Sequence, residues 1–288
     1  MEVMTMNSAI EAWREQVLAF DRDMEEIRGA GQEHGRKRPV FASEPLDPYR
    51  TGDQALNALY EVVGNGAEVL DVGGGAGRFA LSLATRAKHV TVVDPSAESL
   101  DLLRSRIEEF GFGNVAAVHE RWEDAEVPRA DVTFCSLVLH HVLEAVPFVR
   151  KLEECARDRV AVLEMVETPG SLAVPFYERV YGMSPTPLPG VPKLMNLLWA
   201  MDIFPDVTML SPEIPVLDAD RNSALEKLRR MLAVEEDSEA DERLRAASDE
   251  LLEETDEGLT VQGVKMWRQA IITWKPTHNG SRSETPSH

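Results

Sequence analysis

Hydrophobic positions fall in two rhythms along this chain. Near the start, Ile10, Trp13, Val17, Phe20, Met24 and Ile27 recur at alternating intervals of three and four, behind a capping box of Ser8 and Glu11. The spacing predicts one amphipathic helix ending near Gly29 and Gly31, with a loop to Pro48 after it. Its apolar stripe suits packing on the chain's own domain or, as the alternative, a homodimer contact.

From Asp53 the rhythm changes. A helical pattern over Asp53 to Val63 precedes five short apolar runs: Glu68 to Val72, Val90 to Asp94, Asn114 to His119, Asp131 to Ser136 and Arg159 to Val166. Helical patterns separate them, the clearest being Leu100, Leu103, Ile107 and Phe110 behind a Ser96 cap. Strands alternating with helices at this interval predict βαβ units and a parallel sheet.

After Glu167 the alternation stops. Nine of the 17 prolines lie between Pro169 and Pro215, together with Phe176, Tyr177, Tyr181 and Trp199. A strand-like Val207 to Leu210, a helix over Asn222 to Val234, an acidic helical segment and a last strand, Gln269 to Trp274, follow. The expected division is therefore an N-terminal helix and loop over 1–52, serving as a lid or oligomer contact. A main domain over 53–276 follows, with a lid or substrate insertion at about 169–206 and the acidic helical segment at about 222–257. A polar tail at 277–288 is expected to be disordered.

Composition narrows the function. A chain of 288 residues can bury a large core without disulfides, and Cys135 and Cys155 are too few for a disulfide framework. The 50 acidic side chains outnumber the 30 basic ones, so the formal charge is −20, and half of that excess lies between Glu235 and Glu257. Such a surface repels phosphate backbones, and the basic run His34 to Arg38 is too short to reverse it, so no nucleic acid is expected as partner. Met1 to Ile27 lacks the apolar core of a signal peptide, and no stretch approaches the roughly 20 apolar residues that cross a bilayer. The expected location is cytoplasmic, away from the membrane. Scattered histidines without H-x-x-x-H or C-x-x-C spacing predict no metal site.

The strongest chemical signal is Val69-Leu70-Asp71-Val72-Gly73-Gly74-Gly75-Ala76-Gly77-Arg78. A strand ends, the chain turns on glycines that allow close backbone approach, and a helix begins. The next strand ends in Asp94, seventeen residues beyond Gly77, where a carboxylate can accept both hydroxyls of a ribose. A dinucleotide fingerprint would need glycine where Arg78 stands. The pattern acid-x-G-x-G-x-G, opened by Asp71, fits instead, and an acid there suits a cationic amino-acid end better than a pyrophosphate.

At these residues the sequence resembles the class I S-adenosylmethionine-dependent methyltransferases over about Asp53 to Glu167, with a looser echo in Gln269 to Trp274. The resemblance implies an α/β, Rossmann-like doubly wound seven-stranded mostly parallel sheet with its last strand antiparallel. It implies S-adenosyl-L-methionine as cofactor and a small-molecule methyl acceptor. Asp71, Gly73, Gly75 and Gly77 match the motif that cradles the methionine portion. Asp94, followed by Pro95, matches the acid that binds the ribose, and Ser136 the strand end that contacts the amino group. At the third strand's end the family's acid and small residue are replaced by Glu120-Arg121-Trp122-Glu123-Asp124. Trp122 is expected to stack on adenine with Glu123 or Asp124 accepting from it, the alternative being a surface-capping aromatic.

Leu139-His140-His141 resembles a run found in many small-molecule methyltransferases. His140 or His141 is the candidate general base, the plainer alternative being hydrogen-bonded structural histidines. Neighbours on a turn cannot both aim at one atom. Tyr177, Tyr181 and Trp199 are candidates for an acceptor pocket or for core packing. Two other functions fit less well: an NAD(P)-dependent oxidoreductase on a similar sheet, and a non-catalytic S-adenosylmethionine-binding protein that uses the acidic segment and the N-terminal stripe for partners.

Overall fold

In the computed structural model, the residues described are 6–30, 46–167 and 172–277. The basic run His34 to Arg38, Pro169 at the start of the expected insertion, and the tail beyond Thr277 lie outside them.

The central apolar runs become strands buried on both faces, which selects apolar residues at successive positions, while the run that becomes the edge strand is only partly buried. They are β1 (Glu68–Val72), β2 (His89–Asp94), β3 (Val115–His119), β4 (Ala130–Ser136) and β5 (Ala156–Met165), joined by β6 (Asp206–Met209) and β9 (Gln269–Trp274). The sheet order is β3-β2-β1-β4-β5-β9-β6. β1 to β5 are parallel, and β9 runs antiparallel to both β5 and β6. This is the expected seven-stranded, mostly parallel sheet with its last strand reversed.

Side-chain alternation splits the core in two. On one face Val69, Val92, Phe134 and Leu163 meet α2 (Gln54–Val63), α3 (Ala80–Ala84) and α4 (Ala97–Phe110) through Leu59, Leu81 and Leu103. On the other, Leu70, Val72, Val162 and Ile272 meet α5 (Ala145–Cys155), α7 (Val191–Ala200) and α1 (Met6–Ala30) through Leu152, Leu198 and Trp13. Asp53 caps α2 by accepting the Leu56 N–H at 3.0 Å, and Ser96 caps α4 through the Ser99 N–H at 3.2 Å.

Helix α1 spans Met6–Ala30, so Ser8 lies within it and not ahead of it. Its stripe is spent within the chain: Trp13 and Val17 are buried against the sheet helices, and Ile27 enters a third core. The homodimer contact expected of that face therefore loses its apolar basis.

The third core revises the expected lid. It combines Phe176, Tyr177 and Val180 of α6 (Val174–Tyr181), Leu228 and Leu232 of α8 (Arg221–Leu232), Leu244 and Leu251 of α9 (Glu239–Leu251), and Leu259 and Val261 of a hairpin. The first strand of that hairpin, β7 (Leu252–Thr255), lies in a stretch expected to be helical, and its partner β8 (Gly258–Val261) lies just beyond it. Within the acidic segment, Asp241 is 1% exposed because Arg229 grips it with bonds of 2.8 and 2.9 Å and Arg245 adds a third at 3.0 Å. Helix α7, expected in the lid, is instead the crossover from β5 to β6 and packs on α1. Met165 pairs with Gln269, and Met209 with Ala270. The third core thus springs from the carboxyl edge of the sheet, where open α/β sheets bind ligands.

Candidate active site

The carboxyl ends of β1, β2 and β4 bring Asp71, the glycine turn, Asp94 and Ser136 together. β1 breaks off at Val72 because Gly73 adopts φ +73°, a conformation costly for other residues. A Cβ built there would lie 2.5 Å from Val138, just beyond β4. The Gly73 N–H donates to Val93 O at 2.7 Å, and the Arg106 guanidinium on α4 donates to Ala76 O at 2.9 Å, pinning the turn from two sides. Regular helix begins only at Ala80 and lasts five residues, so the helix end contributes less than expected and the turn itself forms the cradle.

Asp71 is 1% exposed, and its Oδ1 has no hydrogen-bond partner. Burial first, and the like charge of Asp94 second, push its carboxyl up to about 7. Asp94 is also buried, yet both its oxygens are used. Oδ2 accepts the Gly75 N–H at 3.0 Å and Oδ1 the Ser96 N–H at 2.8 Å, so the side chain joins the glycine turn to the start of α4. Pro95, exposed, presents its carbonyl 3.1 Å from His119 Nε2.

β3 ends at His119, which pairs with Asp94. The residues beside the Asp94–Pro95 corner are therefore His119 and Glu120, ahead of the Trp122 and Glu123 expected there. Trp122 is 4% exposed: it packs on Phe148, donates its indole N–H to Phe148 O at 3.3 Å, and lies under the Lys151 ammonium. Its bulk belongs to the core beneath α5, and it has no face left for an adenine. Glu123 is exposed and pairs with Arg121 at 3.6 Å. The expected adenine pair is thus corrected: one residue is buried and the other points into solvent.

Past Ser136, Leu137 takes φ +54°, rare for a branched side chain, and its N–H donates to Leu163 O at 3.0 Å. That turn leads into a 3-10 segment, Leu139–His141, which buries His140 and leaves the neighbouring His141 exposed. His140 is 1% exposed, with Nδ1 at 2.8 and 2.9 Å from the oxygens of Glu164, itself 0% exposed at the end of β5. Glu164 Oε1 also accepts the Met165 N–H at 2.8 Å. With its ring buried and Nδ1 held by both oxygens of Glu164, His140 is corrected from candidate base to structural histidine. His141 is exposed, its ring 4.4 Å from that of His140 and 6.0 Å from Phe20 on α1.

The expected acceptor aromatics are elsewhere. The hydroxyls of Tyr177 and Tyr181 donate to Met231 O and Leu232 O at 3.1 and 2.9 Å inside the third core, and Trp199 is half exposed on α7. Sequence reasoning missed Gly74, whose role follows from the carboxylate beneath it. It also missed Glu164, which carried no motif at all. No cluster among the described residues could hold a metal ion.

The residues suit a ligand with a cationic amino-acid end and a ribose: an orphaned buried carboxyl oxygen on one side, a carboxylate at the strand end on the other. Residues 69–158 match the family model of a methyltransferase domain. An uncharacterized protein of Haemophilus influenzae is 39% identical over 104 residues, which is 35% of this chain and 38% of that relative, so the match spans well under half of the relative. Among solved structures, the YcgJ protein of Bacillus subtilis is similar with a TM-score of 0.54 at 14% identity, covering 78% of this chain and 98% of that one. A putative methyltransferase from Bacillus halodurans gives 0.51 at 15% identity, covering 76% and 96%. At these identities the two structures bear on the fold alone.

Proposed function

We propose that this chain, whose residues 69–158 match a methyltransferase-domain model, is a class I, S-adenosylmethionine-dependent methyltransferase that methylates a small organic acceptor. The observation that carries the reading is Asp71, buried with an unpartnered oxygen beside a glycine cradle and facing the like charge of Asp94. Asp71 and the turn Gly73 to Gly77 would hold the methionine end, Asp94 the ribose, and the His119–Glu120 and Pro95 corner the adenine side. Ser136 stands at the amino-group end. When bound, the cofactor supplies a methyl group already activated on a sulfonium, so the protein needs no strong acid.

The chain's own work is to align an acceptor and exclude water. Helix α1 and the third core, which springs from the same sheet edge, form the walls. His141, exposed beside Phe20, is the residue placed to take a proton from a hydroxyl acceptor; an amine or carbon acceptor would not need it. The charge of −20 favours a small molecule over a nucleic acid. The two free thiols, Cys135 and Cys155, suit a reducing compartment such as the cytoplasm.

Against a nicotinamide-dependent oxidoreductase stand Arg78 in the place of a fingerprint glycine and an orphaned carboxyl where a pyrophosphate would lie. The non-catalytic reading loses one of its two supports, since the N-terminal stripe is used in packing, while the acids of the 235–257 segment other than Asp241 stay exposed. Titration of the purified chain with S-adenosylmethionine and S-adenosylhomocysteine, beside NADH and NADPH, tests the proposal. Binding of the sulfur ligands, lost in Asp94→Ala, supports it; binding of a nicotinamide instead overturns it.

A further inference from the structure

A carboxyl group sealed from water without a partner is unstable as an anion, and it relaxes by holding a proton or by meeting a cation. Around Asp71 the cations are engaged elsewhere. Arg106 on α4 donates to Ala76 O, while Arg78 lies over the Phe79 ring and beside Asp53. Arg50, ahead of α2, donates to Asp53 and Ser82. From β2 the neighbour is Asp94, of like charge. From β4 it is Cys135, a thiol that burial, Glu164 and Asp71 itself keep neutral. A Cβ on Gly74 would touch the Asp71 carboxyl, so the turn's backbone lies directly against the group and leaves its Oδ1 without a partner.

We propose that Asp71 selects ligands with a cationic amino-acid end by exchanging a proton for the incoming ammonium. Binding of S-adenosylmethionine or S-adenosylhomocysteine then releases a proton from this side chain. The inference rests on the methyltransferase reading above and adds to it the basis of ligand selection. The exchange balances without any redox step: the O–H bond of Asp71 breaks, its electron pair stays on the carboxylate, the proton passes to the buffer, and the ligand ammonium supplies the replacing charge. With burial and Asp94 raising the group to about 7, both forms are populated near neutral pH. A ligand that lacks the ammonium, such as 5′-methylthioadenosine, finds Asp71 protonated and leaves it so.

The test is titration calorimetry of the full chain with S-adenosylhomocysteine in buffers of low and high ionisation enthalpy. At about pH 6.5 the heat should vary with the buffer as expected for release of roughly half to one proton per ligand, and this should fade by about pH 8. Affinity should improve by up to about tenfold per pH unit below the transition and level off above it. With 5′-methylthioadenosine no proton should be released, and Asp71→Asn should bind S-adenosylhomocysteine more weakly with no release. Should that variant fail to fold, the wild-type heats decide alone. Binding whose heat is independent of buffer at pH 6–7, or release that persists in Asp71→Asn, overturns the inference and leaves the methyltransferase reading standing. Absence of any S-adenosylhomocysteine binding overturns both.

Discussion

The carboxyl group of Asp71 occupies the space that a side chain on Gly74 would take: a Cβ built on Gly74 would lie 2.6 Å from both Cγ and Oδ2 of Asp71. The two residues therefore act as one unit. The bare backbone of Gly74 lets the turn fold down onto the acid, and the acid is sealed from water as a result.

Gly74→Ala should then force either the turn or the carboxyl group to move. Overpacking of this kind costs about 1–3 kcal/mol, of which 1.4 kcal/mol is a factor of ten in binding. Affinity for S-adenosylhomocysteine is expected to fall about tenfold or more in a calorimetric titration. Gly113→Ala is the control, because nothing lies within 4 Å of a Cβ built there. Equal affinities in the two variants would disconnect Gly74 from the ligand.

Asp94→Asn tests the other side of the cradle. The carboxylate accepts from both Gly75 and Ser96, whereas an amide offers one oxygen and must set its NH2 against one of those donors. Hydrogen bonds to a charged group contribute about 1.5–3 kcal/mol, so S-adenosylhomocysteine should bind about 10- to 100-fold more weakly. Amide exchange at Gly75 should also speed up. Wild-type affinity in this variant would remove Asp94 from the site.

The central strands were legible because burial on both faces writes each of them as a compact apolar run, whereas the edge strands β3 and β6 are partly or wholly exposed. The expected bounds of β1 and β9 coincide with those observed, β2, β3 and β4 differ by one residue at their start, and β5 and β6 by one to three residues at both ends. The glycine turn was legible for a related reason, since positive φ and close approach leave few alternatives to glycine. What could not be read depends on contacts far apart in sequence. Nothing local separates α7, a crossover helix under α1, from the lid segments around it. Leu252 to Glu257 looks like more of the acidic helix until the hairpin is seen to seal the third core. Trp122 differs from a ligand-stacking aromatic only through Phe148 and Lys151, 26 and 29 residues away. Which of His140 and His141 turns inward is decided by Glu164, on another strand.

Glu164 and His140 are both sealed from water, so removing one partner strands the other. Leaving a buried hydrogen-bonding group without its partner costs about 1–3 kcal/mol, and more where the group is charged. Glu164→Ala should lower the melting temperature by up to roughly 10 °C for a chain of this size. Glu164→Gln, which keeps an acceptor for the His140 N–H, should lose less. If Glu164→Ala melts with the wild type, the pair is not a structural tie.

The raised Asp71 carboxyl also sets the sign of a stability change in the ligand-free protein. In the unfolded chain an aspartate titrates near 4, while in the native state this one titrates at about 7. Between those values the native state holds a proton that the unfolded state has given up. The contribution is fully present below about pH 4 and is lost as the pH rises through about 7, at a rate of at most about 1.4 kcal/mol per pH unit. Most surface carboxylates act the other way: the Lys88 and Arg157 side chains hold Glu68 down to about 2, so it favours the native state above the ordinary carboxylate range and loses that effect only in acid. The two trends are separated by comparison with Asp71→Asn, which keeps every surface pair and removes the buried titration. Denaturant melts of both proteins at intervals from pH 4 to 8 should give a difference in stability that shifts in favour of the variant as the pH rises, then levels off above about pH 8. A difference that stays constant with pH would mean that Asp71 titrates like an exposed aspartate, and that the closed turn over it admits water.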